Sequence, residues 1–196
     1  FFPFVIRGEA KLLDGSTVEV NGRTLCAPRI CLAIGSKPRI PDVEGLNAVP
    51  FLTNETIFDL TERPDHLVIL GGGPIGMEMA QSFRRLGSRV TVIERGRAMS
   101  KDDPEAAKLV LDRMRAEGVE IHEETGVERV GSSGASLFVE PQGGERIACS
   151  HILVATGRTC DFSGFGLENA GIEWDASGIA VNAKRRTSNR KIYAIG

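Results

Sequence analysis

The sequence predicts an α/β fold, a Rossmann-like parallel sheet with a β-meander, and three observations predict it. Leu67-Val68-Ile69-Leu70 is a continuous apolar run, as a strand buried on both faces requires. Gly71-Gly72-Gly73-Pro74-Ile75-Gly76 follows at once and leads into residues 77–86, whose apolar positions recur at helical spacing until Gly87 stops them. Arg89-Val90-Thr91-Val92-Ile93 is then a second strand, closed by Glu94. A lone G-x-G-x-x-G is weak evidence, because glycine turns join many strands to helices; strand, turn, helix, strand and acid in this order are specific.

The other elements follow in chain order. Residues 4–13, 17–20 and 23–34 read as strands separated by Asp14-Gly15 and by the hairpin signal Asn21-Gly22, giving a small meander. Its last piece, Ile30-Cys31-Leu32-Ala33-Ile34, runs into Gly35-Ser36-Lys37-Pro38, and Pro38, Pro41 and Pro50 mark an extended linker over residues 37–50. Beyond Glu94, residues 103–117 read as a helix with Asp102 or Asp103 as N-cap, Pro104 early and Gly118 at its end. Residues 119–122 make the third strand. Residues 127–130, 136–140 and 145–148 form a second meander, split by Gly131-Ser132-Ser133-Gly134 and by Gln142-Gly143-Gly144, and residues 150–155 rejoin the sheet. The close of that strand, Val154-Ala155-Thr156-Gly157, echoes Leu32-Ala33-Ile34-Gly35, so the chain is expected to enter an inserted domain after the first and leave it after the second. Residues 167–172, 178–182 and 191–196 read as a connection and strands returning to the first domain.

This pattern describes a dinucleotide site. Gly71 allows the tight turn out of the strand, Gly73 lets the backbone approach a pyrophosphate, and Gly76 lets the helix pack on the sheet. The helix that starts at Pro74 points unpaired N–H groups and the positive end of its dipole at the phosphates. Glu94 stands eighteen residues beyond Gly76, near the spacing at which a carboxylate accepts hydrogen bonds from an adenosine ribose. A carboxylate there takes a 2′-hydroxyl and repels a 2′-phosphate, which favours NAD over NADP. Arg95 and Arg97 pull the other way, since guanidinium groups bind phosphate; read blandly, they are a solvated basic turn.

Composition excludes several classes. The 196 residues carry a net charge of −2 with both signs interspersed, so neither nucleic acid nor an anionic membrane is an expected partner. No apolar run approaches the roughly 20 residues that span a bilayer. The apolar start, Phe1 through Ile6, has no basic leader and no small-residue cleavage site, which makes a cytoplasmic setting the default. The four cysteines, Cys26, Cys31, Cys149 and Cys160, lack C-x-x-C spacing, and no metal site is expected. Five residues of extended strand would hold the Cys26 and Cys31 sulfurs roughly 16 Å apart, beyond the Cα separation of about 7 Å that a disulfide tolerates, so both read as half-buried strand cysteines. His66, His122 and His151 show no nucleophile or acidic partner, and Arg84-Arg85 and Glu123-Glu124 read as solvated faces.

Ala27-Pro28-Arg29-Ile30, Ala33-Ile34-Gly35-Ser36-Lys37-Pro38, the glycine fingerprint with Glu78, Ala155-Thr156-Gly157-Arg158, and Thr187-Ser188 with Ile192-Tyr193-Ala194-Ile195-Gly196 together resemble the pyridine nucleotide-disulfide oxidoreductases of the dihydrolipoamide dehydrogenase, mercuric reductase and glutathione reductase type. The resemblance covers nearly the whole chain and implies an FAD-binding domain interrupted by an NAD(P)-binding domain. On that pattern residues 1–40 and 161–196 are segments of the FAD domain and residues 41–160 the NAD(P) domain. Ile75 and Glu78 are implied near the nicotinamide, although a carboxylate in the first turn of a helix is also favoured by the dipole alone. Val127 resembles the position touching adenine and Gly157 the one whose backbone lies near the nicotinamide. Gly8 and Ala10 resemble small residues beside the FAD adenine, and Gly35 the first crossover turn. The resemblance further implies a homodimer acting on a disulfide or small-molecule substrate. Ile34 replaces a usual Thr, Thr159-Cys160-Asp161 stands where the pattern has x-Pro-Asn, and Arg190 replaces a usual Pro. The 196 residues hold no second dinucleotide fingerprint and no helix with a redox disulfide, so the chain alone is expected to be catalytically incomplete, its flavin supplied only with further polypeptide. The alternative is a non-catalytic NAD-binding module.

Overall fold

The structure is a computed structural model that describes residues 4–134 and 136–195; the apolar residues 1–3 and the closing Gly196 lie outside them. The chain forms two compact units, one of residues up to Lys37 with those from Arg158 onward, the other of Pro38–Gly157.

In the first unit, β1 (Ala10–Leu12), β2 (Thr17–Val20) and β3 (Arg23–Cys26) make an antiparallel meander. Asp14 shapes the first turn by accepting from the Ser16 N–H at 2.7 Å, and Asn21 and Gly22 both take positive φ, as the tight hairpin demands. The expected strand over residues 4–13 contracts to β1. Gly8 has φ +157°, and a Cβ there would lie 2.3 Å from Asn21 Oδ1, while the Asn21 amide donates to the Arg7 carbonyl. The expected strand over residues 23–34 also breaks. Ala27-Pro28-Arg29 separates β3 from β4 (Ile30–Leu32), because Pro28 has no N–H for a ladder. Cys26 and Cys31 therefore belong to different sheets and both are exposed and free, which corrects the extended, half-buried arrangement expected for them.

The second unit holds the parallel sheet. β5 (His66–Leu70), α1 (Pro74–Arg85), β6 (Arg89–Ile93), α2 (Pro104–Ala116) and β7 (Glu120–His122) alternate, and β11 (His151–Val154) returns to give the order β11-β5-β6-β7, all parallel. Every residue of β5 is buried, which is why its last four residues, 67–70, read as unbroken apolar sequence. One face of the sheet packs Leu67, Ile69 and Leu153 on Met77, Ala80, Leu111 and Met114 of the helices. The other packs Val68, Leu70 and Ile152 on Leu46, Val130 and Val139. Asp103 caps α2, its carboxylate accepting from the N–H groups of Glu105 and Ala106 at 3.0 Å each, and Gly118 ends that helix in the left-handed region. The second meander is β8 (Val127–Ser133), β9 (Ser136–Pro141) and β10 (Ile147–Cys149). Its first turn is shorter than expected, since Gly131, Ser132 and Ser133 continue β8; bare Gly131 makes room for the Phe138 ring.

Back in the first unit, Trp174–Asp175 (β12) pairs with Gly178–Ile179 (β13), and Ile192–Ala194 (β14) lies parallel to β4. These replace the longer strands expected over residues 178–182 and 191–196, and residues 167–172 contain a 3-10 turn. Leu12, Leu32, Leu167, Ile172 and Ile192 form this unit's core. No described helix is long and apolar enough to cross a membrane.

Candidate functional site

The carboxyl ends of β5, β6 and β11 meet where a parallel sheet binds ligands. β5 ends in Gly71, whose φ is +111° and whose absent side chain leaves room for Ala155, since a Cβ would stand 2.5 Å from the Ala155 carbonyl oxygen. Gly76 lets α1 press on that turn; its Cβ would lie 2.0 Å from the Gly71 oxygen. Gly73 differs. It is the N-cap of α1, and a Cβ there would meet nothing within 4 Å, so the space over it is open to a ligand. Pro74 is the first residue of the helix, no side chain caps this end, and the first intrahelical bond runs from Met77 to Gly73. The N–H groups ahead of it have no intrahelical acceptor and carry the positive end of the helix dipole, the arrangement that favours an anion.

Glu94 is built into this turn. One carboxylate oxygen accepts from the Gly72 N–H at 2.7 Å and the other from the Gly96 N–H at 2.8 Å. The acid thus holds the glycine turn, while each oxygen keeps a second lone pair for a further donor. Ala98 packs where a Gly72 side chain would go. Arg95 and Arg97 flank Gly96 and are exposed. Glu78 lies in the second turn of α1 and is exposed, and the first turn holds no acid, which removes the dipole explanation for it. Ile75 is half-buried beside the turn, and Val127 starts β8, half-buried against the core.

On the other side of β5, the end of β11 is tied to the entering chain by three bonds that sequence reasoning missed. The Arg39 N–H donates to the Gly157 oxygen at 2.9 Å, the Arg39 guanidinium to the Thr156 oxygen at 2.7 Å, and the Thr156 hydroxyl to the Arg39 oxygen at 2.8 Å. Gly157 has φ +113°, a conformation side chains resist. Nothing about Pro38-Arg39-Ile40-Pro41 in the sequence announces this contact across more than a hundred residues.

Gly8, Ala10 and Gly35 belong to the first unit. Gly35, with φ +66°, lines a cleft of about 490 Å³ together with Ile34, Phe162, Arg185 and Ile195. Ala10 opens β1 opposite Val20. Two expectations about side chains away from the turn are corrected. His66 is buried, with Nδ1 2.8 Å from the Ala148 oxygen and Nε2 2.9 Å from the Thr91 hydroxyl, which reaches Glu120 at 3.1 Å; an acid is therefore one hydroxyl away. Of the expected solvated faces, Arg85 and Glu124 are exposed as the sequence suggests, whereas Arg84 and Glu123 are partly buried, and three of the four side chains make contacts. Arg84 donates to the Glu117 backbone oxygen, Arg85 pairs with the Glu117 carboxylate, and Glu123 accepts from the Ala98 N–H.

The family model described as pyridine nucleotide-disulphide oxidoreductase matches residues 4–196. The chain belongs to this family. Mercuric reductase of Streptomyces lividans is 37% identical to it, over 98% of this chain and 42% of that protein. Glutathione reductase of Nostoc sp. is 36% identical over 98% of this chain and 44% of that one. Among solved structures, the HOCl-induced flavoprotein disulfide reductase RclA from Escherichia coli superposes with a TM-score of 0.89 at 28% identity, covering 98% of this chain and 45% of that chain. The chain thus spans less than half the length of these family members, and its α/β architecture is the one they share.

Proposed function

We propose that this chain binds NAD(H) at the β5–α1 turn and serves hydride transfer to or from a flavin within an FAD-dependent oxidoreductase of the mercuric reductase or dihydrolipoamide dehydrogenase kind. The observation that carries the reading is the glycine turn over an uncapped helix end, held by Glu94 through the Gly72 and Gly96 N–H groups and open above Gly73. When bound, the nicotinamide carries the hydride and the flavin exchanges it. The chain's own groups bind and orient. The N–H groups at the start of α1 take the pyrophosphate, Glu94 takes the adenosine ribose, Val127 lies toward the adenine, and Ile75, Glu78 and Gly157 border the nicotinamide. Gly8, Ala10 and Gly35 stand on the flavin side. The acceptor, a disulfide or another small molecule, and a cytoplasmic homodimer belong to the same reading of the whole protein.

NAD is the preferred nucleotide, because a Glu94 carboxylate fixed at both oxygens cannot swing away from a 2′-phosphate. Titration with NADH and NADPH tests this. NADH is expected to bind at least about tenfold more tightly, about 1.4 kcal/mol, and equal affinities would overturn the preference in favour of Arg95 and Arg97. Flavin retention with NADH-dependent dye reduction separates the oxidoreductase from a module that binds NADH without consuming it.

A further inference from the structure

We propose that Arg39 sets the preference of the site for the reduced over the oxidised nucleotide. The inference rests on the nucleotide reading above and assigns a specificity role to a residue outside the glycine fingerprint. Strand order supplies the direction. Glu94 follows β6 on one side of the Gly71 turn, and Gly157 follows β11 on the other. A dinucleotide with its pyrophosphate at the turn and its adenosine ribose at Glu94 therefore runs its nicotinamide half toward Ala155-Thr156-Gly157.

That end is where Arg39 is held. Its guanidinium donates to the Thr156 oxygen at 2.7 Å and lies 3.9–4.0 Å from the point where a Gly157 side chain would begin, so it covers one face of an otherwise bare backbone. Among the described residues no carboxylate pairs with it; its only bonded acceptor is that neutral carbonyl. The guanidinium is exposed and tethered by that bond, and its charge is uncompensated.

The two redox forms of the nucleotide differ in charge at that spot. The oxidised ring is a cation and the dihydronicotinamide is neutral. A guanidinium beside the ring repels only the oxidised form; because Arg39 is exposed, its charge acts through a water-like medium, where two close unit charges interact by about 1 kcal/mol, about a fivefold discrimination. The result is a site that holds NADH and lets NAD⁺ go, which suits a protein that draws electrons from the nucleotide.

The experiment is titration of the full chain with NADH and with NAD⁺, comparing unmodified protein, Arg39→Met and Arg39→Lys. Arg39→Met is expected to improve NAD⁺ affinity relative to NADH about fivefold, and Arg39→Lys, which keeps the charge, to leave the ratio near that of the unmodified chain. In the unmodified chain the ratio should also shrink as salt rises from about 0.05 to 0.5 M, because the cation is exposed to screening. A ratio that Arg39→Met leaves unchanged, or that both variants change equally, overturns the proposal and leaves Arg39 as a structural tie. A salt-independent ratio overturns it without recourse to any variant. Failure of the unmodified chain to bind either form sinks the nucleotide reading itself, which is a different outcome from binding both forms alike.

Discussion

The unit of Pro38–Gly157 and the unit built from the two flanking segments use the same materials to different effect. The first stacks four parallel strands between helices and a meander, so β5, β6 and β11 are buried on both faces. The second joins strands of two to four residues drawn from opposite ends of the sequence around a small core of Leu12, Leu32, Leu167, Ile172 and Ile192. Long buried strands make stability local and redundant; short strands from distant segments make it depend on a few contacts of high loop-closure cost. The glycines show the same contrast. Gly71 and Gly76 are pressed against backbone, whereas Gly35 has nothing within 4 Å of its missing side chain.

Probes can separate the units. Among the described residues both α-helices lie in residues 38–157, and the single tryptophan, Trp174, lies in the other unit, so helical circular dichroism and tryptophan fluorescence report on different parts. Leu153→Ala empties a fully buried position of the larger core and is expected to cost about 4 kcal/mol in the dichroism-detected urea transition. Ile192→Ala should cost about 2 kcal/mol in the fluorescence transition, the smaller core yielding more easily. Coincident transitions in both variants would show the units unfolding as one and would break the comparison.

Gly76→Ala is next in size. Its Cβ would stand 2.0 Å from the Gly71 oxygen, so α1 must move off the turn, at a cost of about 2 kcal/mol in the dichroism transition and with at least a tenfold loss of NADH affinity. Gly35→Ala meets no such obstacle, only the strain of a positive φ, and the same titration should find NADH binding unchanged. Equal losses in the two variants would deny the contrast between the glycine turns.

The smallest effect is in pH. Burial, with Arg89 nearby, holds the His66 imidazole below its ordinary 6.5, although its bond to the Ala148 oxygen pulls the other way. The folded unit therefore resists a proton that the unfolded chain accepts. Its stability is complete above pH 6.5 and declines as pH falls below that value. A hydrogen bond from Arg85, with Arg113 beside it, holds the Glu117 carboxyl at about 2 against an ordinary 4.5, so a second contribution is lost as pH falls from 4.5 toward 2. Urea midpoints by circular dichroism should decline in two stages on acidification. His66→Gln should flatten the first and Glu117→Gln the second; midpoints unchanged between pH 7.5 and 5 would remove His66 from the account.

Local pattern carried much of the larger unit. Residues 67–70, 77–86 and 89–93 are β5, most of α1 and β6, because burial on both faces and a helical stripe leave direct marks on composition. The first meander was less legible. Apolar residues at 4–13 and 23–34 read as long strands, yet Gly8 meets Asn21 and Pro28 interrupts the ladder, and both obstacles depend on where the partner strand falls. His66 looked partnerless for the same reason, since Thr91, Glu120 and Ala148 reach it only across the sheet.

By itself the sequence determined the order of strand, glycine turn, helix, strand and acid, since backbone freedom at Gly71 and Gly76 and the position of Glu94 are properties of single residues in a local register. It also determined that the cysteines form no disulfide framework. Only the tertiary structure decided that Glu94 spends both oxygens on the Gly72 and Gly96 N–H groups, that Gly73 is left open, and that Arg39 is brought to Thr156 and Gly157. Those facts depend on which strand ends lie side by side, and strand order is settled by the packing of the whole sheet.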